Sequence, residues 1–398
     1  MSLQIDEPEN KIVNKFSLFA LGFRPFFYFA AVFAPLLILT WLSLINGKFT
    51  TISQYYSPVG WHAHEMLFGY TVAVIAGFLL TAVGNWTGVK VISGRRLILL
   101  SVVFLLGRLA PFITELPLWV IAVSDLLFIP LVAIIIAIPI VRARQWSNII
   151  FVPVLLLMAA ANLAVHLSAM NIISLPVVSG SRAMLYLVIL LIVIMGGRVI
   201  PFFTERGVAG VVTKKWNFIE NLLPLSILLL ALSDLLYGDR PVTGYVALLT
   251  FILHSTRLYG WYHHKIWQVP LVWILQVAYG WFIVGFILKS LSVFHFSESI
   301  FSLHAFTVGG IGIMTLGMMA RVSLGHTGRD MKINRLMVLS FILINIAAIF
   351  RVLVPIFFPE SYLQWVQISA WLWIGAFVIF LLVYTPMWVN VRVDGREG

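Results

Sequence analysis

Apolar residues fill this chain in long, almost unbroken runs, and polar residues are confined to the short stretches between them. Crossing a bilayer as a helix takes roughly 20 consecutive apolar residues. Twelve runs reach about that length, approximately at 20–45, 61–84, 97–114, 117–140, 149–170, 182–203, 217–237, 241–260, 268–291, 299–321, 333–357 and 363–388. The pattern predicts an all-α integral membrane protein with twelve spans in a single polytopic domain covering 1–398. The tail 1–15 and the loop 204–216 are the longest polar pieces, and neither is long enough to fold by itself.

Composition agrees with the pattern: 61% of the 398 residues are hydrophobic, 10% are charged, and mean hydropathy is +1.01. A soluble domain carries about 25% charged residues, so a water-soluble core is excluded. The net charge of +11 would point to nucleic acid in a soluble protein. Here it sorts by membrane side, as the positive-inside rule requires. Seventeen lysines and arginines fall in the tails and loops on the N-terminal side, against four (Lys48, Arg182, Arg240, Lys289) opposite. That bias places both termini in the cytoplasm and demands an even number of spans. The expected location is a bacterial inner membrane, with the lipid bilayer as partner and no nucleic acid. No cleavable signal peptide is expected, because the first apolar run is long enough to stay as a span. The chain has no cysteine, which removes thiolate ligands, iron–sulfur clusters and covalent c-type haem. Any metal must be held by His, Met or carboxylate.

The spans repeat. His64, Gly69, Gly77, Thr87 and Gly88 match His304, Gly309, Gly317, Thr327 and Gly328 at a constant offset of 240, as H-x4-G-x7-G-x9-T-G. MGGRVIPFFTER (195–206) and MMARVSLGHTGR (318–329) share M-x2-R-V-x4-T-x-R at an offset of 123. The second, sixth and tenth spans are thereby related, which predicts a pseudo-threefold of three four-helix units, 16–146, 147–266 and 267–390.

Ionisable residues inside a membrane are costly and mark functional sites by default. WHAHEMLFGY (61–70) places His62, His64 and Glu65 at the start of a span. At 100° per residue, His62 and His64 point to nearly opposite faces, with Glu65 and Met66 on the face of His62. His166 lies near the same membrane side with Asn162 one turn earlier, and His304 opens the tenth span. These residues are expected to gather as one outer cluster, with His64 and His304 as axial ligands of a non-covalent haem. His62 and His166 are the next ligands, for copper or a second haem, and Glu65 orients a ligand ring. Toward the cytoplasmic ends, His326 is a further metal candidate, while Arg24, Arg198 and Arg321 are intramembrane cations, the last two repeat-equivalent. No Walker loop, H-E-x-x-H or G-x-S-x-G pattern is present, and no catalytic residue is assigned.

The motifs FALGFRPFF (19–27), WHAHEMLFGY (61–70), AGFLLTAVGNWTG (76–88), GGRVIPFFT (196–204) and HAFTVGGIGIMTL with RVSLGHTGR (304–329) resemble the NnrS family. The resemblance implies a twelve-span bacterial inner-membrane protein that contains haem and copper and serves the nitric oxide response during denitrification and nitrosative stress. Family members often carry a histidine where this chain has Gln276. A second, architectural similarity is to the catalytic subunit of haem–copper oxidases. The functional expectation is a haem- and copper-containing protein that protects against or processes nitric oxide, by electron transfer from a donor the sequence does not identify. The alternative is a transporter or exporter of a metal, haem or nitrosyl–iron species.

Overall fold

The computed structural model describes residues 16–48, 55–174 and 177–396. Lys11 and Lys15, counted above in the polar tail, lie outside the described residues. Among the described residues the chain is helical and contains no strand, as it must be where lipid offers the backbone no hydrogen-bond partner. Ten helices are long and apolar enough to cross a membrane: α1 (Phe23–Ile45), α2 (Pro58–Thr87), α4 (Leu118–Arg142), α5 (Trp146–Ala169), α6 (Ser179–Gly207), α7 (Asn217–Tyr237), α9 (Pro270–Val293), α10 (Ser299–His326), α11 (Arg335–Phe357) and α12 (Pro359–Val389).

The expected spans 97–114 and 241–260 correspond to α3 (Arg95–Leu109) and α8 (Pro241–Trp261), which stand apart from those ten. The 15 residues of α3 rise about 22 Å, short of a hydrocarbon core of about 30 Å. Helix α8 has the length, but Thr243, Thr250, His254 and Arg257 lie along its buried face.

Local signals set the helix ends. Pro58 opens α2 behind Ser57, whose Oγ accepts from Gly60 N at 3.2 Å. The Asn334 Oδ1 accepts from Met337 N at 2.9 Å ahead of α11. Both described chain ends meet at one end of the bundle, where Ser17 N donates to Val389 O at 2.8 Å. The opposite end, near Tyr55, Pro58 and Ser299, is called distal below.

Four helices form the centre. In α2, α6, α9 and α10 between 61% and 83% of the spanning window is buried, against 33–44% in the other six spans. The aligned positions of α2 and α10 behave alike. Each helix departs from α geometry at the residue after its aligned histidine, into π-helical segments at Glu65–Thr71 and Ala305–Gly312. Such segments are rare and concentrate at functional sites.

Gly77 and Gly317 are close-approach positions, since a Cβ would come within 2.9 Å of Phe27 and of Ile274 respectively. Gly88 and Gly328 end their helices in the left-handed region, at φ +68 and +74. The aligned threonines Thr87, Thr204 and Thr327 all donate to the carbonyl four residues back, at Val83, Ile200 and Ser323, over 2.7–2.8 Å. The stretches 16–146, 147–266 and 267–390 each carry four of the helices α1 to α12, with short 3-10 turns between some of them.

Candidate metal centre and adjoining cavities

The outer cluster expected from sequence divides into two sites on opposite faces of α2. His62 and His64 point apart, as their spacing requires. Glu65 does not follow His62: its Oε1 lies 3.1 Å from His64 Nδ1. The π segment begins at Glu65, and the carboxylate reaches sideways from the residue next to His64, where Arg108 also holds it. Met66 keeps the expected face and lines a cavity with His62.

On the first face, His64, Asp125 and His166 bring their ligand atoms within 4.8 Å of one another, all buried. Asp125 comes from α4 and His166 from α5. His166 Nε2 and His64 Nε2 lie 2.9 and 3.2 Å from the same oxygen, Asp125 Oδ2. Asn162 donates its Nδ2 to that oxygen at 2.8 Å and turns its Oδ1 toward His64 Nε2 at 3.1 Å.

The far nitrogens are also held. Glu65 takes His64 Nδ1, and Tyr55 donates its hydroxyl to His166 Nδ1 at 2.8 Å. Burial pushes the Tyr55 phenol above its ordinary range, so it remains a neutral donor. The His64 ring is sandwiched between Tyr56 and Phe68, with centroids 4.8 and 4.9 Å away. Two imidazoles aimed at one carboxylate oxygen, each anchored through its other nitrogen, form the layout that orients metal-binding histidines.

Charge points the same way. Arg108 of α3 donates to Glu65 Oε1 at 2.9 Å and ion-pairs with Asp125. Two buried carboxylates thus face one guanidinium. The surplus negative charge is of the kind a buried site must neutralise, by an imidazolium or by a bound cation among the three ligand groups.

On the other face, His62 and His304 line a cavity of about 320 Å³ between α1, α2, α10, α11 and α12. His62 stacks on Trp41 at 4.5 Å, and its Nδ1 is buried without a hydrogen-bond partner. His304 Nδ1 faces Ile300 O at 2.9 Å, and Arg351 donates to His304 Nε2 at 3.0 Å. His64 and His304 therefore sit in separate pockets, although both stand at the same repeat position.

The sequence offset of 123 relates His304 to Ser181. Its Oγ is buried without a partner and borders a third distal cavity, of about 300 Å³, with Tyr186, Asp234 and Lys289. There Lys289 Nζ lies 2.6 Å from Asp234 Oδ1 and 3.0 Å from Asp239 Oδ1. Lys289, assigned from sequence to the outer-side charge tally, is thus a buried ion-pair partner. It is also the residue that the same offset relates to His166.

The remaining candidates lie elsewhere. Arg24 Nη1 donates to the carbonyls of Met387, Trp388 and Asn390 at 2.7–3.3 Å, holding the end of α12. Arg198 donates to Asn148 Oδ1 at 2.7 Å and to Ser147 O at 3.1 Å. Arg321 lies 3.7 Å above the Phe203 ring. These contacts are with packing partners and carbonyls. His326 is 3.4 Å from Asn85 at the end that bears both chain ends, far from the distal histidines. Gln276 donates to Thr204 Oγ1 at 3.0 Å and Trp261 O at 3.2 Å, and borders a cavity of about 340 Å³ toward that same end.

Sequence reasoning missed Asp125, Arg108 and Arg351. All three are ionisable residues inside apolar runs, and that signal alone was enough to mark them.

The profile of the NnrS protein family matches residues 17–392. The chain belongs to the NnrS family. No curated protein matches it. Membership fits a membrane protein of the nitric oxide response.

Proposed function

We propose that this NnrS-family protein is a metal-binding protein of the bacterial inner membrane that handles nitric oxide under nitrosative stress. In this reading α8 and α3, the latter lengthened by the turn Ala110–Phe112 that continues it, cross with the ten longer spans to make twelve; both termini are cytoplasmic, and three four-helix units surround a pseudo-threefold axis. The meeting of Ser17 with Val389 supports the even count. The matched π segments and helix-end threonines support the repeat.

The observation that carries the metal reading is the convergence of His64 Nε2 and His166 Nε2 on Asp125 Oδ2, in a site with a carboxylate in excess. Two imidazoles and a carboxylate without thiolate suit copper, zinc or iron, and copper is the metal that the family resemblance implies. Asn162, Glu65 and Tyr55 fix the ligand atoms, and Arg108 offsets one carboxylate.

Haem fits the second cavity better than a His64–His304 bridge. The walls there are largely apolar, and His62 contributes an imidazole nitrogen that no protein group uses. His62 would hold the iron through its unpartnered nitrogen, and His304 would join it only by giving up its bond from Arg351, which would then meet a carboxylate at the edge of the ring. When bound, haem supplies a one-electron centre. Around it, Trp41 and Trp373 exclude water and Arg351 holds charge in place. An exporter of metal ions needs a polar route through the bundle. The cavity where α2, α6 and α10 meet is apolar, which favours resident cofactors over cargo.

The test is element analysis and redox spectra of detergent-purified protein from cells replete in copper and haem. Copper is expected to be lost in His64→Ala and His166→Ala with haem retained. Haem is expected to be lost in His62→Ala and His304→Ala. Wild-type protein that holds neither group would overturn the reading.

A further inference from the structure

Helices from all three four-helix stretches line one small, partly open cavity in the bundle, to which α1 also contributes Phe27. Helix α2 contributes Val74 and Ile75, α6 contributes Ile192, and α10 contributes Met314 and Met318, around about 70 Å³ of space. Its polar lining is limited to Thr71 and Thr315, and both hydroxyls are already engaged. Thr71 Oγ1 donates to Met66 O at 2.8 Å. Thr315 Oγ1 lies 2.7 Å from Ile311 O and 2.6 Å from the Tyr70 hydroxyl.

A water needs two to four polar partners and about 10–15 Å³ of probe space. This cavity has the space without the partners. Cavities of that kind stay dry and take up xenon or small apolar molecules.

Position adds a second argument. Thr71 borders both this cavity and the distal cavity of His62 and His304. Tyr70 borders only the distal one, and Thr315 only the central one. Their 2.6 Å hydrogen bond, between residues 245 apart in sequence, therefore spans the wall between the two spaces. Tyr70 and Thr71 are the last two residues of the π segment in α2, which loosens the helix at that wall.

We infer that the central cavity is a binding site for a small, uncharged, apolar molecule, and that the Tyr70–Thr315 bond is the partition between it and the His62–His304 cavity. The identification of the guest as nitric oxide rests on the proposed function; the preference for a small apolar guest does not. A dissolved diatomic gas partitions into hydrocarbon, because it gives up no hydrogen bonds on leaving water. A chamber at the centre of the membrane domain would hold it beside the distal ligands. The size excludes haem, and the lining offers nothing to hold an ion.

The experiment is structure determination of the full-length protein in nanodiscs after xenon pressurisation, with ¹²⁹Xe NMR in solution as the second measurement. Wild-type protein is expected to show xenon between Ile75, Ile192 and Met314. Ile192→Phe, which fills the space, is expected to lose that site and the corresponding ¹²⁹Xe shift. The wild-type result decides by itself if the variant does not fold. Ordered water, an acyl chain, or no xenon in this space would overturn the inference. Thr315→Val removes the partition bond while keeping the volume. It is expected to keep xenon in the central site and to add xenon in the distal cavity; an unchanged distribution would overturn the partition. Xenon uptake does not depend on bound metal, so a metal-free preparation tests this site even if the metal reading fails.

Discussion

Replacing Arg108 by methionine tests whether the distal site is a desolvated ion network. The side chains of Arg108, Glu65 and Asp125 are only 3%, 4% and 6% exposed. At the 2.9 Å separation of Arg108 and Glu65, an effective dielectric near 20 gives a Coulomb attraction of about 6 kcal/mol. Desolvation takes back several kcal/mol for each ion, so the intact pair contributes little net stability. Removing only the cation is different, because two carboxylates then face each other in a closed site. The expected loss is about 3–5 kcal/mol. Neutralising all three groups, as Arg108→Met with Glu65→Gln and Asp125→Asn, removes the uncompensated charge and is expected to recover most of that loss. The assay is reversible unfolding in mixed micelles titrated with SDS, followed by tryptophan fluorescence after chelation of metal. A cost below about 1 kcal/mol for Arg108→Met, the size of an exposed salt bridge, would refute the reasoning. So would a triple variant no more stable than the single one.

Tyr55→Phe removes the hydroxyl that anchors His166 Nδ1. Metal affinity at the His64–Asp125–His166 site is expected to fall about 10–100-fold with helicity unchanged, as read by competition with a chromophoric chelator. Gly309→Ala would set a Cβ 2.6 Å from the Trp281 ring, for an expected loss of about 1–3 kcal/mol. Gly88→Ala meets no atom but keeps its φ of +68, and is expected to lose about 1 kcal/mol. Unfolding of the two variants side by side checks both values. Gln276→Leu gives up hydrogen bonds to Thr204 and Trp261 but also removes a buried Oε1 that has no partner. Its stability is expected to stay within about 1 kcal/mol of wild type; a larger loss would mean that the Oε1 has a partner such as bound water.

The sequence by itself determined that this is a helical membrane protein, because only helices satisfy every backbone group within so long an apolar run. It also determined local geometry at the aligned positions: Gly88 and Gly328 both end helices at positive φ, and Thr87, Thr204 and Thr327 each donate to the carbonyl four residues back. The candidate histidines were legible for the same reason: a polar group buried in lipid has to be used. Partnership was decided elsewhere. The sequence paired His64 with His304 by symmetry, whereas the fold gives each its own inter-helix pocket, with Asp125 and His166 beside one and Arg351 beside the other. Asp125 and His166 come from α4 and α5, whereas Arg351 comes from α11, so different helices complete the surroundings of each histidine. Nor could uniform helical periodicity anticipate that Glu65 turns to His64, because the partners that hold it there are His64 itself and Arg108 from α3. The tertiary structure alone made the central cavity, since the side chains of α1, α2, α6 and α10 that line it meet only when those helices pack.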